Sequence, residues 1–171
     1  MFLIFDLDMT LVNSSSADQL RQQRSWQEVY RLIPEFTLFD GVKELMVTLS
    51  EHNIQYGIVT ASPRTYCEKV VEFFKFNPKF CVCYHDTKRH KPHPDPIFYA
   101  VDQLPNSDEY ILSFGDRDID IHASNQAGVM SVACLWGATE KIALKHASPD
   151  FTIHHPYEVL HIVEMINTIA S

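Results

Sequence analysis

Two aspartates, Asp6 and Asp8, stand one residue apart at the end of the apolar run "IFDLDMTL". Burying a single charge is already expensive, so a strand that ends on paired acids needs either open water or a partner. Two more acids, Asp116 and Asp120, follow a second apolar run in "YILSFGDRDID". Gathered into one crevice, carboxylates about 4 Å apart would repel by several kcal/mol at an effective dielectric near 20. Such a cluster persists only around a compensating cation, and hard oxygen ligands favour Mg2+. Lys91, on the Pro-bounded loop "HKPHPDP", offers a fixed positive charge, and Thr60 closes the run "GIVT" with a hydroxyl. Together these groups suit a phosphoryl group, whose transfer depends on positioning and charge neutralisation. None of the patterns GxxxxGK[ST], GxGxxG and GxSxG occurs, so phosphate-cradling loops and a serine elbow have no support. The acids themselves are left to do the work, as in aspartyl-phosphate chemistry.

These side chains meet only if the chain brings their strand ends to one edge. Apolar runs over Phe2–Phe5, Gln55–Thr60, Phe80–Tyr84, Tyr110–Phe114 and Met130–Leu135 predict strands, with a weaker one at Phe151–Ile153. Most are apolar nearly throughout, the pattern of strands covered on both faces of a parallel sheet. Helical patterns fall between them, near residues 17–32, 41–52, 63–75, 95–104, 119–127 and 157–169. In the first, Trp26, Val29, Tyr30 and Ile33 follow the i, i+3, i+4, i+7 spacing of a helix face. Strand and helix in alternation predict an α/β fold, a doubly wound parallel sheet flanked by helices. Ligands of such sheets gather outside the carboxyl ends of the strands, where Asp6, Asp8, Thr60 and Asp116 would fall.

The composition bounds the alternatives. A chain of 171 residues, 46% hydrophobic and 21% charged, is the size and make-up of one soluble globular domain. Its net charge of −8 argues against non-specific binding to nucleic acid or anionic membrane, with "KRHKPH" the one basic exception. No apolar run approaches the roughly 20 residues that span a bilayer. The opening "MFLIF" lacks a basic leader. Four cysteines without an export signal suggest reduced thiols and a cytoplasmic location.

The sequence resembles the haloacid dehalogenase superfamily, in its phosphoglycolate-phosphatase-like phosphatase branch. "DLDMT" is similar to the DxDxT motif of that family, and "IVTAS" to its hydrophobic strand ending in Thr or Ser. "HKPHPDPIFYAVDQL" resembles its Lys-Pro segment, and "GDRDIDIHASNQAG" its acidic GDxxxD motif with the helix that follows. The likeness runs along essentially the whole chain. It implies that Asp6 is the nucleophile that takes the phosphoryl group, and that Asp8 is the general acid and then base. It implies that Thr60 and Lys91 hold the phosphate. Asp6, the backbone carbonyl of Asp8, Asp116 and Asp120 would hold Mg2+. Ser62 and Arg64 are candidate substrate contacts, with helix capping and solvation as their plainer readings.

One departure bears on the substrate. Relatives insert a large helical lid after the first motif, whereas here only residues 13–39 intervene, enough for a short helical insert on a domain spanning 1–171. A lid excludes water and reads the leaving group. A reduced one predicts either an extended phosphate ester or a lid lent by a neighbouring subunit of a homo-oligomer. The substrate class is otherwise a phosphorylated small molecule, with nucleic acid entering only as a phosphorylated end. A phosphomutase and a non-catalytic phosphate-binding scaffold are the competing functions. Arg21, Arg24 and Arg31 are candidates to meet an anionic leaving group, with the solvated face of the insert as their plainer reading; Asp118 reads as a helix N-terminal acid, and Cys81, Cys83 and His85 as strand residues rather than a zinc site. His90, His93, His154 and His155 read as solvated.

Overall fold

The computed structural model describes residues 1–104 and 110–170. Its centre is a six-stranded, all-parallel sheet in the order β5-β4-β1-β6-β7-β8. These strands are β1 (Phe2–Phe5), β4 (Tyr56–Val59), β5 (Cys81–Val82), β6 (Ile111–Gly115), β7 (Met130–Cys134) and β8 (Phe151–Ile153). A two-residue antiparallel pair, β2 (Val12–Asn13) with β3 (Thr37–Leu38), stands apart from it. Helices α3 (Val42–Glu51), α4 (Arg64–Phe74) and α8 (Glu158–Ala170) cover one face; α5 (Asp95–Val101) and α6 (Asp118–Ala127) cover the other. Strand β1 shows the two-sided burial its composition predicts: Leu3 and Phe5 join the first core, Phe2 and Ile4 the second.

The order of strands places the site. β1 pairs with β4 on one side and β6 on the other, so the chain's path reverses at β1 and a crevice opens there at the carboxyl edge. The register brings the ends of the three strands level, with Phe5 opposite both Ile58 and Phe114. The residues just beyond those ends therefore face one another.

The stretch expected as one helix near 17–32 is two, α1 (Asp18–Gln22) and α2 (Trp26–Leu32). Arg24 takes a left-handed conformation at φ 57° between them, and the Ser25 N–H closes back on the Leu20 carbonyl at 2.9 Å. The apolar residues explain the break. They concentrate in α2, where Val29 is fully buried and Trp26 packs on Tyr66 at 5.8 Å between ring centres. In α1 only Leu20 is apolar, so the polar helix turns away along its own axis. Helix α7 (Lys141–His146) lies between β7 and β8, a stretch for which the sequence pattern predicts no helix. Among the described residues no helix is long and apolar enough to cross a membrane.

Candidate active site

Asp6 follows β1 directly, its N–H bonded to the Phe114 carbonyl at 2.9 Å, so the carboxylate emerges where the sheet ends. Asp116 emerges one residue after β6, and Thr60 one residue after β4. Asp120 sits in the first turn of α6, where its Oδ2 accepts the Arg117 N–H at 3.1 Å and caps the helix. That approach is possible because residue 115 is glycine: a Cβ there would lie 2.2 Å from the Asp120 Cβ. Carboxylate oxygens of Asp6, Asp116 and Asp120 all fall within 4.8 Å of one another, the one such acid, His or Cys cluster among the described residues.

Lys91 reaches this cluster from the loop before α5. Its ammonium donates to Asp6 Oδ1 at 2.7 Å, Asp120 Oδ1 at 2.6 Å and the Val59 carbonyl at 2.8 Å. Three donors meet three acceptors, so a lysine side chain only 4% exposed is fully satisfied. Burial opposes its charge, but Asp120 and Asp6 overcome that and hold its pKa above the ordinary value. The acids show the opposite strain. Burial, reinforced by Asp120, pushes Asp6 up to about 7 despite the opposing pull of Lys91. Burial and the charges of Asp120 and Asp6 push Asp116 up to about 8. One ammonium is too little positive charge for three buried carboxylates. The oxygens these bonds leave over, Oδ2 of Asp6 and Oδ2 of Asp116, point to the kind of donor set a hard divalent cation takes.

Asp8 stands in a different setting. Its Oδ1 accepts the Ser14 hydroxyl at 2.6 Å and the Tyr66 phenol at 2.5 Å, and pairs with the Arg21 guanidinium; its Oδ2 accepts the Ser62 hydroxyl at 2.8 Å. Tyr66 is fully buried, and burial with the Asp8 charge pushes its phenol well above the ordinary value, so it serves as a neutral donor. Thr60 is buried with its Oγ1 held by the Ser62 N–H at 3.1 Å. A crevice of about 740 Å3 runs past Asp6, Asp8, Thr60, Ser62, Lys91 and Asp116.

The structure therefore brings Asp6, Asp8, Thr60, Ser62, Lys91, Asp116 and Asp120 together. It does not bring Arg64, which is half exposed and turned to Asp86 at 2.5 Å. Arg21 corrects its reading as a solvated residue: its side chain is only 13% exposed and faces Asp8. The sequence hid this because α1 looks polar on every side. Three more contributors went unassigned. Ser14 and Tyr66 hold Asp8, and Thr10 donates to Asp116 Oδ1 at 2.9 Å. Thr10 had a signal, the final position of "DLDMT"; Ser14 and Tyr66 had none short of the fold. Its loop is braced from behind by the Trp136 indole, which donates to the Thr10 carbonyl at 2.8 Å. Cys81, Cys83 and His85 form no ligand cluster among the described residues.

An open parallel sheet with acids converging at its reversal point is an α/β architecture with its candidate site at the carboxyl edge. The family model described as haloacid dehalogenase-like hydrolase matches residues 16–134, and the chain belongs to that family. A protein of Caldanaerobacter subterraneus provisionally named pyrophosphatase PpaX is 32% identical over 85% of this chain and 66% of its own length. Pyrophosphatase PpaX of Oceanobacillus iheyensis is 30% identical over 74% of this chain and 60% of its own length. N-acetylmuramic acid 6-phosphate phosphatase of Pseudomonas aeruginosa is 26% identical over 74% of this chain and 57% of its own length. The chain thus spans about two thirds or less of the length of these relatives. Among solved structures, one described as a predicted phosphoglycolate phosphatase from Haemophilus somnus superposes with a TM-score of 0.81 at 21% identity, over 95% of this chain and 97% of that one. A hydrolase from Pseudomonas syringae gives 0.78 at 20% identity, over 96% and 98%. At these identities the likeness speaks for the fold.

Proposed function

We propose that the protein is a Mg2+-dependent phosphatase that hydrolyses a phosphate monoester through a phospho-aspartate on Asp6. The observation that carries this reading is the convergence of Asp6, Asp116 and Asp120 within 4.8 Å, with Lys91 on two of them and Asp8 in the same crevice. Asp6, Asp116, Asp120 and the carbonyl of Asp8 are the groups that would hold Mg2+. When bound, the ion neutralises charge on the acids and on the phosphoryl oxygens.

The chain's own residues supply the rest. Thr60 donates its hydroxyl hydrogen to the phosphoryl oxygens and Lys91 balances their charge from beside Asp6, which fixes phosphorus in front of the nucleophile. An Asp6 carboxylate oxygen forms a bond to phosphorus as the ester P–O bond breaks, and Asp8 gives the departing oxygen its proton. Asp8, now a carboxylate, takes a proton from water as that water attacks phosphorus and the Asp6–phosphorus bond breaks. Inorganic phosphate and free Asp6 remain. Lys91 keeps a fixed positive charge beside Asp6 through both steps.

The crevice of about 740 Å3 has the size of a small-metabolite site. The relatives' names, a pyrophosphatase and a sugar-phosphate phosphatase, also favour a phosphorylated small molecule. Residues 1–171 act as one unit in this reading, with 13–39 a reduced lid, and the location is the cytoplasm. Hydrolysis of p-nitrophenyl phosphate tests it: turnover requires Mg2+ and ends on addition of EDTA. A pure, folded chain that releases no phosphate from any monoester with Mg2+ present would sink the reading. Beryllium fluoride with Mg2+ should also raise the melting temperature, since the pair occupies the phosphoryl position.

A further inference from the structure

The two oxygens of Asp8 have unlike surroundings. Oδ1 is enclosed by the Ser14 hydroxyl at 2.6 Å, the Tyr66 phenol at 2.5 Å and the Arg21 guanidinium. Oδ2 meets the Ser62 hydroxyl at 2.8 Å and keeps its remaining side toward the crevice. The terminal torsion of an aspartate is broad and roughly two-fold, so an unheld carboxyl group can turn either oxygen to a substrate. The oxygen that carries the proton must come within about 2.6–3.2 Å of the atom that receives it.

Tyr66 fixes which oxygen that is. It belongs to α4, and its fully buried ring packs against Trp26 at 5.8 Å and Phe36 at 6.5 Å between ring centres. The phenol hydroxyl is thereby held in one place. Arg21 bonds the phenol as well as Asp8. A guanidinium only donates, so the phenol oxygen accepts from Arg21 and its own hydrogen is left for Oδ1 of Asp8. A contact of 2.5 Å is the length of a hydroxyl donating to a carboxylate. With donors aimed at Oδ1, a proton on Asp8 has room only on Oδ2. The Ser62 hydroxyl beside Oδ2 can rotate, and it suits that oxygen with or without a proton.

We infer that Tyr66 is a positioning residue for the leaving-group proton: its hydroxyl anchors Oδ1 of Asp8 and keeps the acidic hydrogen on Oδ2, toward the crevice. The inference rests on the phosphatase reading above. As the ester P–O bond breaks, that hydrogen passes from Oδ2 to the departing oxygen, and Asp8 is left as a carboxylate still bonded to Tyr66 through Oδ1. Tyr66 stands behind Asp8 rather than on the crevice wall, so it acts through Asp8. The short insert gains a task besides covering substrate. Its Ser14 and Arg21 complete the anchor, and its Trp26 and Phe36 seat the ring.

The test is how the rate depends on the leaving group. Para-substituted phenyl phosphates share one shape but differ in the acidity of the phenol they release. p-Nitrophenolate departs without a proton, whereas phenolate departs far more readily with one. With Mg2+ present, kcat/KM of the wild-type chain should change little along such a series. Tyr66→Phe keeps the ring and loses only the hydroxyl, and it should slow phenyl phosphate at least about tenfold more than p-nitrophenyl phosphate. A residue needed for packing alone would slow both esters equally, and equal slowing or no change overturns the inference. A wild-type chain that hydrolyses p-nitrophenyl phosphate but fails on phenyl phosphate also overturns it, since no proton is then being supplied. Should Tyr66→Phe not fold, Arg21→Met, which removes the donor that orients the phenol, should show the same bias, and equal slowing there overturns it too. Turnover by the wild-type chain without any bias in the variants leaves the phosphatase reading standing. Inactivity of the wild-type chain on every phosphate ester overturns both.

Discussion

Gly115 and Asp120 are in contact through the space a side chain would otherwise fill: a Cβ on Gly115 would stand 2.2 Å from the Asp120 Cβ and 2.5 Å from its carboxyl carbon. The glycine at the end of β6 therefore sets how deeply α6 seats and where the Asp120 carboxylate meets Lys91. Gly115→Ala should displace that helix end and cost about 1–3 kcal/mol, the usual cost of overpacking a buried contact. Urea unfolding measures the loss. The same variant should show a weaker Mg2+-induced rise in melting temperature than the wild-type chain, because Asp120 moves with the helix.

Lys91 is the sole fixed cation bonded to the acidic cluster among the described residues. Lys91→Met keeps much of its volume and removes the charge, leaving buried carboxylates uncompensated. Breaking a buried pair in this way costs roughly 3–5 kcal/mol. Chemical denaturation at pH 8 should show that loss, and it should shrink at pH 6, where the acids can take up protons. Equal losses at the two pH values would mean that packing, not charge, is what Lys91 supplies.

Asp6→Asn separates chemistry from stability. An amide is a poor nucleophile toward phosphorus, so turnover of p-nitrophenyl phosphate should fall by at least about a thousandfold. The metal-free fold should be as stable as wild type at pH 8 or more so, because one of the crowded acids is gone. A variant that stays active would remove Asp6 from the nucleophile's place.

The pH dependence follows from the same crowding. Asp6 and Asp116 rise to about 7 and about 8 in the folded chain, against an ordinary value of 3.8. Both acids thus hold protons more tightly folded than unfolded, and stability must fall as pH climbs through that window. The metal-free chain should melt at a lower temperature at pH 8.5 than at pH 6. Mg2+, which competes with those protons, should raise the melting temperature more at pH 8.5 than at pH 6. Scanning calorimetry at both pH values, with Mg2+ and with EDTA, reads the two effects; a metal-free chain that gains stability from pH 6 to 8.5 would contradict them.

What could be read from the chain alone divides along a physical line. The six strands of the main sheet, the edge at which Asp6, Thr60 and Asp116 emerge, and the loop that brings Lys91 follow from local apolar runs and from the topology they force. Strand ends are local facts, and a parallel sheet has one carboxyl edge. The surroundings of Asp8 are not local. Tyr66 lies 58 residues from it and Ser62 54, and only packing brings their hydroxyls to one carboxylate. Arg21 misled because the pattern around it, "DQLRQ", is polar and reads as solvent-facing. Its burial comes from the turn at Arg24, whose left-handed backbone no composition rule singles out in a run without glycine. Arg64 follows its plainer reading, since its place beside "TASP" is near the crevice in sequence while its side chain is half exposed and paired with Asp86.

The brace behind the first loop joins parts of the chain that are made far apart in time during synthesis. Trp136 holds the Thr10 carbonyl across 126 residues, and Gly137 lies so close to the Met9 carbonyl that a Cβ would come within 1.7 Å of it. The turn that follows Asp6 and Asp8 precedes its backing in the chain, and it gains that support only once the segment after β7 has been made. The brace is a contact that only the later part of the chain can supply to a loop made long before it.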